Sequence, residues 1–395
     1  MSAVAAKTEK LSNGASGARR RMKELQTIIK ESERILNAGG RAVLATVVDV
    51  KGSSYRLPGA KMLIAETGET FGTVSGGCLE ADVLEHAAQV LKSGRPIVLT
   101  YDTTKNENSV FSLNMGCNGI VRVLLEPVQK DFNLIQFWQS CFDKKQRGAV
   151  ATLIATNDAN SQKIGLIRLL LEEKQTHVLI TNLYPKSLID DCFKAIDENL
   201  SRCQIYETAK GADEFFIEVI SPPLSLVVFG AGHDAVPLVE IAKNLGWRVS
   251  IVDHRAAFAT SERFPRADEI ILSRPEKMRE NVLIDENTAA VVMTHNYERD
   301  REIIGFLLNS TANYIGALGP KRRTESLLQE LRETGNGFTA AQLAKLHGPV
   351  GLDIGANSPE TIALSIIAEI QSVTANRTGG FLRNREGSIY NRSEQ

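Results

Sequence analysis

The stretch from Leu226 to Asp253 constrains this chain more than any other. Leu226-Val-Val-Phe229 reads as a buried strand and runs into Gly230-Ala-Gly232-His233-Asp-Ala235. Val236, Val239, Ile241, Ala242 and Leu245 then recur on one helical face as far as Gly246. A second strand, Arg248–Val252, delivers Asp253, 21 positions after the second glycine. Strand, glycine-rich turn, helix, strand and acid in that order form a dinucleotide-type crossover. Its first glycine permits the tight turn, its second lets backbone approach a phosphate, and Ala235 lets the helix pack closely on the strand. Asp253 stands where it would accept a ribose hydroxyl. Further strands are predicted at Glu269–Leu272, Ala289–Met293 and Tyr314–Ala317, separated by helical segments. The carboxyl half therefore reads as a Rossmann-like parallel sheet of about five strands wound on both faces.

Ligands of such sheets lie at the carboxyl ends of the strands. Those ends carry Asp253-His254-Arg255, Thr294-His295-Asn296 and Gly319-Pro-Lys321-Arg322-Arg323. For Arg322 and Arg323 a solvated polar loop is the favoured reading. His295 follows a buried strand and is a candidate ligand or catalytic group; the alternative is a histidine bonded to a neighbouring loop at Asp300. Gly351–Glu360 opens a last helix running to about Val373, with Ser358 as N-cap and Pro359 at the first helical position.

Ser221-Pro222-Pro223 blocks helix and central strand alike, which sets the main boundary there. Before it the sequence is α/β and suggests an internal duplication, 41–127 and 147–222. Arg41-Ala-Val-Leu-Ala-Thr46 resembles Arg147-Gly-Ala-Val-Ala-Thr152, and Tyr101-Asp-Thr-Thr-Lys105 resembles Tyr206-Glu-Thr-Ala-Lys210, at offsets of 106 and 105 residues. Each copy closes on a strand running into proline, Val121–Pro127 and Phe216–Pro222, at an offset of 95. The first copy alone holds Ser75-Gly76-Gly77-Cys78 and Asn114-Met-Gly-Cys117-Asn-Gly119; at the place of the former, the second has Ile180–Tyr184. One half would then hold a site and the other supply scaffold.

Cys78 stands at a predicted strand-to-helix turn, ahead of a helix with Leu79, Val83, Leu84, Ala87 and Leu91 on one face and its end at Gly94. Free backbone N–H groups and the helix dipole at such a turn favour an anion and activate a thiol. A small apolar cysteine packed beneath the turn is the equal alternative, and Cys117 shares the ambiguity. The loop Gly52-Ser-Ser-Tyr-Arg56-Leu-Pro-Gly59 offers hydroxyls and a guanidinium, as an anion-binding loop or as an ordinary polar turn.

Composition narrows the class. With 395 residues, 46 bases against 47 acids and 24% charged residues, nothing demands a nucleic-acid partner. The basic excess sits at the ends, where 1–24 and 374–395 are poor in aliphatics and are expected to be disordered. The domains between them are expected at 25–221 and 222–373. No apolar run suits a signal peptide or a membrane span. Five cysteines without a CxxC pair fit a reduced, cytoplasmic setting.

The motifs, taken together, resemble a known family. GSSYRLPGAKMLI (52–64), GTVSGGCLEADV (72–83), NMGCNGIVRVLLEP (114–127), the crossover 226–255, RFPRAD (263–268), VVMTHNYERD (291–300), YIGALGP (314–320) and GLDIGANSPETIALSIIAEI (351–370) look like the XdhC/CoxF family of xanthine dehydrogenase and carbon monoxide dehydrogenase maturation factors. The resemblance covers about 25–372; Asn118 departs from it, standing where such proteins often show glycine. It implies a cytoplasmic, often dimeric chaperone of the molybdenum cofactor (molybdopterin). Such a chaperone holds the cofactor, works with a cysteine desulfurase during sulfuration, and delivers it to a molybdenum hydroxylase apoenzyme of the xanthine dehydrogenase type. A carrier of this guest needs a phosphate cradle, a sheltered crevice and a soft ligand. On that reading Gly230 and Gly232 take the phosphate, His233 belongs to the cofactor site beside them, and Asp253 and His295 bond the pterin or a nucleotide portion. Arg56, Gly76, Gly77 and Cys78 belong to the site from the first domain, Cys78 toward the metal with Cys117 as second choice. The chain then reads as a maturation factor more than as an enzyme. The alternative is an NAD(P)-dependent oxidoreductase, whose only plausible hydride-transfer pair is His295 with Asp300, because Tyr101/Lys105 and Tyr206/Lys210 lie outside the dinucleotide-type domain.

Overall fold

Pro222 and Pro223 divide the computed structural model into two units, 1–222 and 223–395. It describes residues 22–52, 54–102, 119–129, 133–158, 163–174, 186–208, 211–333, 335 and 337–386. Cys117, the loop 114–118, Lys105, Lys210, the segment 180–184, residues 1–21 and residues 387–395 lie outside the described residues. The disorder expected from 374 does not hold for 374–386, where Thr374 ends the last helix, Ala375 is buried and a short 3-10 turn forms at Leu382–Asn384. A helix begins at Met22, which is buried together with Leu25 and Ile28, ahead of the domain start expected at 25.

The first unit holds two antiparallel sheets. One is built from β1 (Ala42–Gly52), β2 (Lys61–Ala65), β3 (Thr70–Gly72), β4 (Ile97–Asp102) and β5 (Gly119–Val128), in the order β3-β2-β1-β5-β4. The other is built from β6 (Gly148–Thr156), β7 (Arg168–Glu172), β8 (Arg202–Thr208) and β9 (Gly211–Ile220), in the order β7-β6-β9-β8. Alternation along a strand sends Val43, Ala45 and Val47 to one face, where they meet Val83, Ala87 and Val90 of the helix Glu80–Ser93. Each such fully buried valine is worth roughly 2 kcal/mol. That helix stops at Gly94, whose φ of 68° is the left-handed cap glycine accepts most easily. The second sheet packs in the same way on the helix Lys186–Glu198 through Leu188, Cys192 and Ile196. Between the sheets, Val48 and Leu124 meet Ile154 and Phe216.

The two sheets share further detail. Both central pairings shift register at the same point, between Val47 and Asp49 in one and between Leu153 and Ala155 in the other. Arg41 binds Glu66 through its backbone N–H (3.1 Å) and Nε (2.9 Å), and Arg147 binds Glu173 through the same two groups (3.2 and 3.0 Å). Tyr101 donates to Asp82 (2.6 Å) and Tyr206 to Asp191 (2.8 Å), so burial and a neighbouring carboxylate raise both phenols well above their ordinary range. One sequence match does not hold. The residues opposite Val47 and Leu153 are Val123 and Phe215, 92 positions apart, so the strands running into Pro127 and Pro222 do not correspond at an offset of 95.

The second unit is a six-stranded parallel sheet of β10 (Ser225–Phe229), β11 (Arg248–Asp253), β12 (Glu269–Leu272), β13 (Thr288–Val292), β14 (Tyr314–Ala317) and β15 (Leu346–His347), in the order β12-β11-β10-β13-β14-β15. The Rossmann-like carboxyl half is thus as predicted, with β15 as an extra strand too short to leave a period. Leu226 and Val228 face the helices Ala235–Asn244 and Pro359–Thr374; Val227 and Phe229 face the helix Tyr297–Leu308. Ser358 caps the last helix by accepting from the Thr361 N–H, with Pro359 following it.

Candidate functional site

In the first unit the bend Ser75-Gly-Gly-Cys78 links β3 to the helix at Glu80 and leaves Cys78 exposed. The N–H groups of Ser75, Gly77 and Leu79 are not free, contrary to the expectation for this turn. Ser75 Oγ accepts from the N–H groups of Gly77 and Leu79, both at 3.1 Å, and Glu80 accepts from Ser75 N (2.8 Å), from its hydroxyl and from Thr73. Burial would lift the Glu80 carboxyl, but its bonds to Ser75 and Thr73 outweigh that and hold it below its ordinary range. The bend therefore carries an internal carboxylate. Cys141 and Cys192 are buried beneath their sheets and Cys203 is half-buried; burial pushes all three thiols up to about 12. Among the described cysteines, Cys78 alone is exposed.

Arg56 is not an open anion ligand. It pairs with Glu24 of the first helix, whose other oxygen accepts the Lys61 N–H at 2.9 Å. Its neighbour Tyr55 is exposed, and the tyrosine ring lies where a Cβ on Gly76 would come within 3.5 Å of it. Composition and period gave no sign of this ring beside the thiol bend; proximity within GSSYRLPG was the only clue.

In the second unit the glycine-rich turn has the predicted backbone. Gly230 has φ +116°, and a Cβ there would lie 2.5 Å from the Met293 carbonyl oxygen, so only glycine fits. The occupants of the turn differ from expectation. Asp253, buried, accepts from the Ala231 N–H at 2.8 Å and from the Arg255 N–H, Nε and Nη2 at 2.9, 3.0 and 2.7 Å. Burial opposes its ionisation, yet Arg255 and the Ala231 N–H bring its carboxyl down to about 2. Both oxygens are committed to the chain itself and are not open as the ribose acceptor that the NAD(P) alternative calls for. Beside Gly232, an Asp234 oxygen lies 2.5 Å from where a Cβ would stand.

His295 adopts a left-handed φ of 58°, and its Nε2 lies 2.7 Å from Asp234 Oδ2. It does not pair with Asp300, which instead accepts from Thr294 at 2.5 Å and from Arg323 at 2.7 Å. The hydride-transfer pair is therefore not assembled. His233 is exposed on the same turn. Gly230, Gly232, His233, Asp253 and His295 thus gather at one end of this unit, while Arg56, Gly76, Gly77 and Cys78 belong to the other. Among the described residues no group of three or more His, Cys, Asp and Glu is placed to hold a metal, and no helix is long and apolar enough to cross a membrane.

A parallel sheet with a glycine-rich first turn and an acid ending its second strand defines a dinucleotide-type domain, here carried behind a thiol-bearing two-sheet domain. Residues 226–370 match the family model described as the XdhC Rossmann domain, and residues 35–102 match that of the XdhC and CoxI family. The chain is 32% identical to a probable xanthine dehydrogenase subunit of Bacillus subtilis, over 86% of its length and 94% of that protein. It is 25% identical, over 88% of each chain, to the molybdenum cofactor insertion chaperone PaoD of Escherichia coli. A crystal structure described as a xanthine dehydrogenase from Bacillus halodurans superposes with a TM-score of 0.71 at 32% identity, covering 89% of this chain and 96% of that one. This chain belongs to the XdhC and CoxI family.

Proposed function

We propose that this chain is a molybdenum cofactor maturation chaperone: it binds the cofactor, shelters it, supports its sulfuration by a cysteine desulfurase, and hands it to an apoenzyme of the xanthine dehydrogenase type. The observation that carries this reading is the similarity to a molybdenum cofactor insertion chaperone along 88% of the chain. The residues suit the cargo's chemistry. Cys78 is a soft donor, exposed on a rigid bend, and so is proposed as the protein's contact to molybdenum, with Cys117 as second choice. The Tyr55 ring next to that bend offers a flat face on which a pterin can stack. His233 and His295, exposed at the carboxyl ends of the parallel strands, are proposed to bond the organic portion. The working form is proposed to be a cytoplasmic homodimer.

The test is anaerobic purification from cells that make molybdenum cofactor, followed by assay of molybdenum and of the fluorescent pterin oxidation product, with Cys78→Ser alongside. Co-purifying pterin is expected in the native protein and less metal in the variant. Pterin absent from both overturns the chaperone reading; full metal loading of Cys78→Ser overturns the thiol's role only.

A further inference from the structure

Beyond the glycine-rich turn, the second unit holds an open cleft at the carboxyl ends of β11, β12 and β13. Its floor is apolar, formed by Val252, Met278 and Ile303, with Ser273 buried beside it, and its rim carries His254 and Arg299. Within it Arg255 neutralises Asp253. Arg299, and Arg274 between the lining residues Ser273 and Pro275, form no ion pair among the described residues. Burial and the charges of Arg299, Arg255 and Arg274 hold His254 below its ordinary range, against the pull of Asp253, so a neutral imidazole stands among three guanidinium groups.

The glycine-rich turn has the opposite character. Its Ala231 N–H is bonded to the Asp253 carboxylate, and Asp234 stands beside Gly232. A phosphate entering there meets Asp234 and an N–H already taken by Asp253, whereas one entering the cleft meets, beside the neutralised Asp253, the guanidinium groups of Arg299 and Arg274, which have no ion pair among the described residues and recognise phosphate oxygens in pairs. We infer that the cleft rimmed by His254 and Arg299, and flanked by Arg274, is an anion subsite that takes the phosphate of an organic phosphate ligand in place of the glycine-rich turn. Arg299 grips the anion, Arg274 adds charge from the rim, and His254 supplies a hydrogen bond. The subsite deepens the chaperone reading by assigning the cargo's phosphate end, and rests on it for the identity of that ligand.

The test uses the full chain in phosphate-free buffer, titrated calorimetrically with inorganic pyrophosphate and, separately, inorganic phosphate. Arg299→Gln is expected to weaken pyrophosphate binding about tenfold, the worth of one charge-assisted hydrogen bond, with Arg299→Lys recovering part of the loss. Gly232→Ala is expected to leave the affinity within about twofold, because the turn does not touch the anion. Absence of binding by the native protein overturns the subsite, as does full affinity in Arg299→Gln or loss of affinity in Gly232→Ala. Thermal melts identify any variant that fails to fold, and Arg274→Gln, on an exposed side chain, then gives the reading: an unchanged affinity overturns the subsite. Pterin loading in cells separates the two proposals. Arginine-dependent pyrophosphate binding without pterin in the native protein sinks the chaperone reading and leaves the subsite; pterin in both native and Arg299→Gln protein, with equal pyrophosphate affinity, does the reverse.

Discussion

Arg122 on β5 grips Glu214 on β9 with both ends of its guanidinium, Nη1 at 2.7 Å from one carboxylate oxygen and Nη2 at 2.5 Å from the other. Asp49 completes the cluster 3.1 Å from Nη2. The fork joins the two sheets of the first unit, and on either side of it Lys61 binds Glu218 and Arg168 binds Glu126 across the same gap. Glu214 and Glu218 lie 92 positions after Arg122 and Glu126, the spacing that the strand registers give. Arg122 is held above its ordinary range by the bond to Glu214, against the effect of burial.

Removing the arginine alone leaves two acids facing each other in a largely dry interface. Arg122→Met is therefore expected to destabilise the first unit by about 3 kcal/mol, and adding Glu214→Leu to recover part of the loss. Denaturant unfolding read through Trp138, in a Trp247→Phe background that silences the second unit, measures it. No change in midpoint would show the fork to be structurally idle.

Acid should loosen the second unit through Asp253. Its folded carboxyl lies at about 2 against an ordinary 3.8, so its stabilisation is complete above that ordinary value and is lost as pH falls through about 2. The stability difference between the native protein and Asp253→Asn is expected to reach up to about 2 kcal/mol at neutral pH and to vanish near pH 2. Melting curves across that range, followed at Trp247, would refute this by giving a pH-independent difference.

Gly230→Ala places a methyl group against the Met293 carbonyl in a backbone conformation that alanine rarely adopts. A loss of about 3 kcal/mol is expected for the second unit, with the first unit unchanged. Comparing Trp247 and Trp138 signals of the same variant checks both halves of the statement.

Thiol accessibility separates the cysteines. Under native conditions Cys78 is expected to be alkylated, and Cys141, Cys192 and Cys203 to stay unmodified until the protein is unfolded. Peptide mapping after timed alkylation reads this directly; early labelling of Cys192 would contradict the packing described.

The parallel sheet was legible because its strands are continuous apolar runs and its first turn needs glycine for steric reasons that sequence records. Ser358 and Gly94 were legible as helix ends for the same local reason. What sequence could not convey was pairing at a distance. Arg56 looks like an anion ligand until Glu24 reaches it from another helix, and Asp253 looks like a ribose acceptor until Arg255 folds back on it. His295 points at Asp234, 61 positions away, and not at its near neighbour Asp300. Arg299 escaped notice because a lone arginine in an amphipathic helix has no signature, and it stands out only once it is seen to have no ion pair among the described residues.

Both glycine-rich bends are stopped from within, one by Glu80 and the other by Asp253. The amide hydrogens of Ser75, Gly77, Leu79 and Ala231 already have partners within the chain, so these stretches of backbone need no outside anion to hold their form.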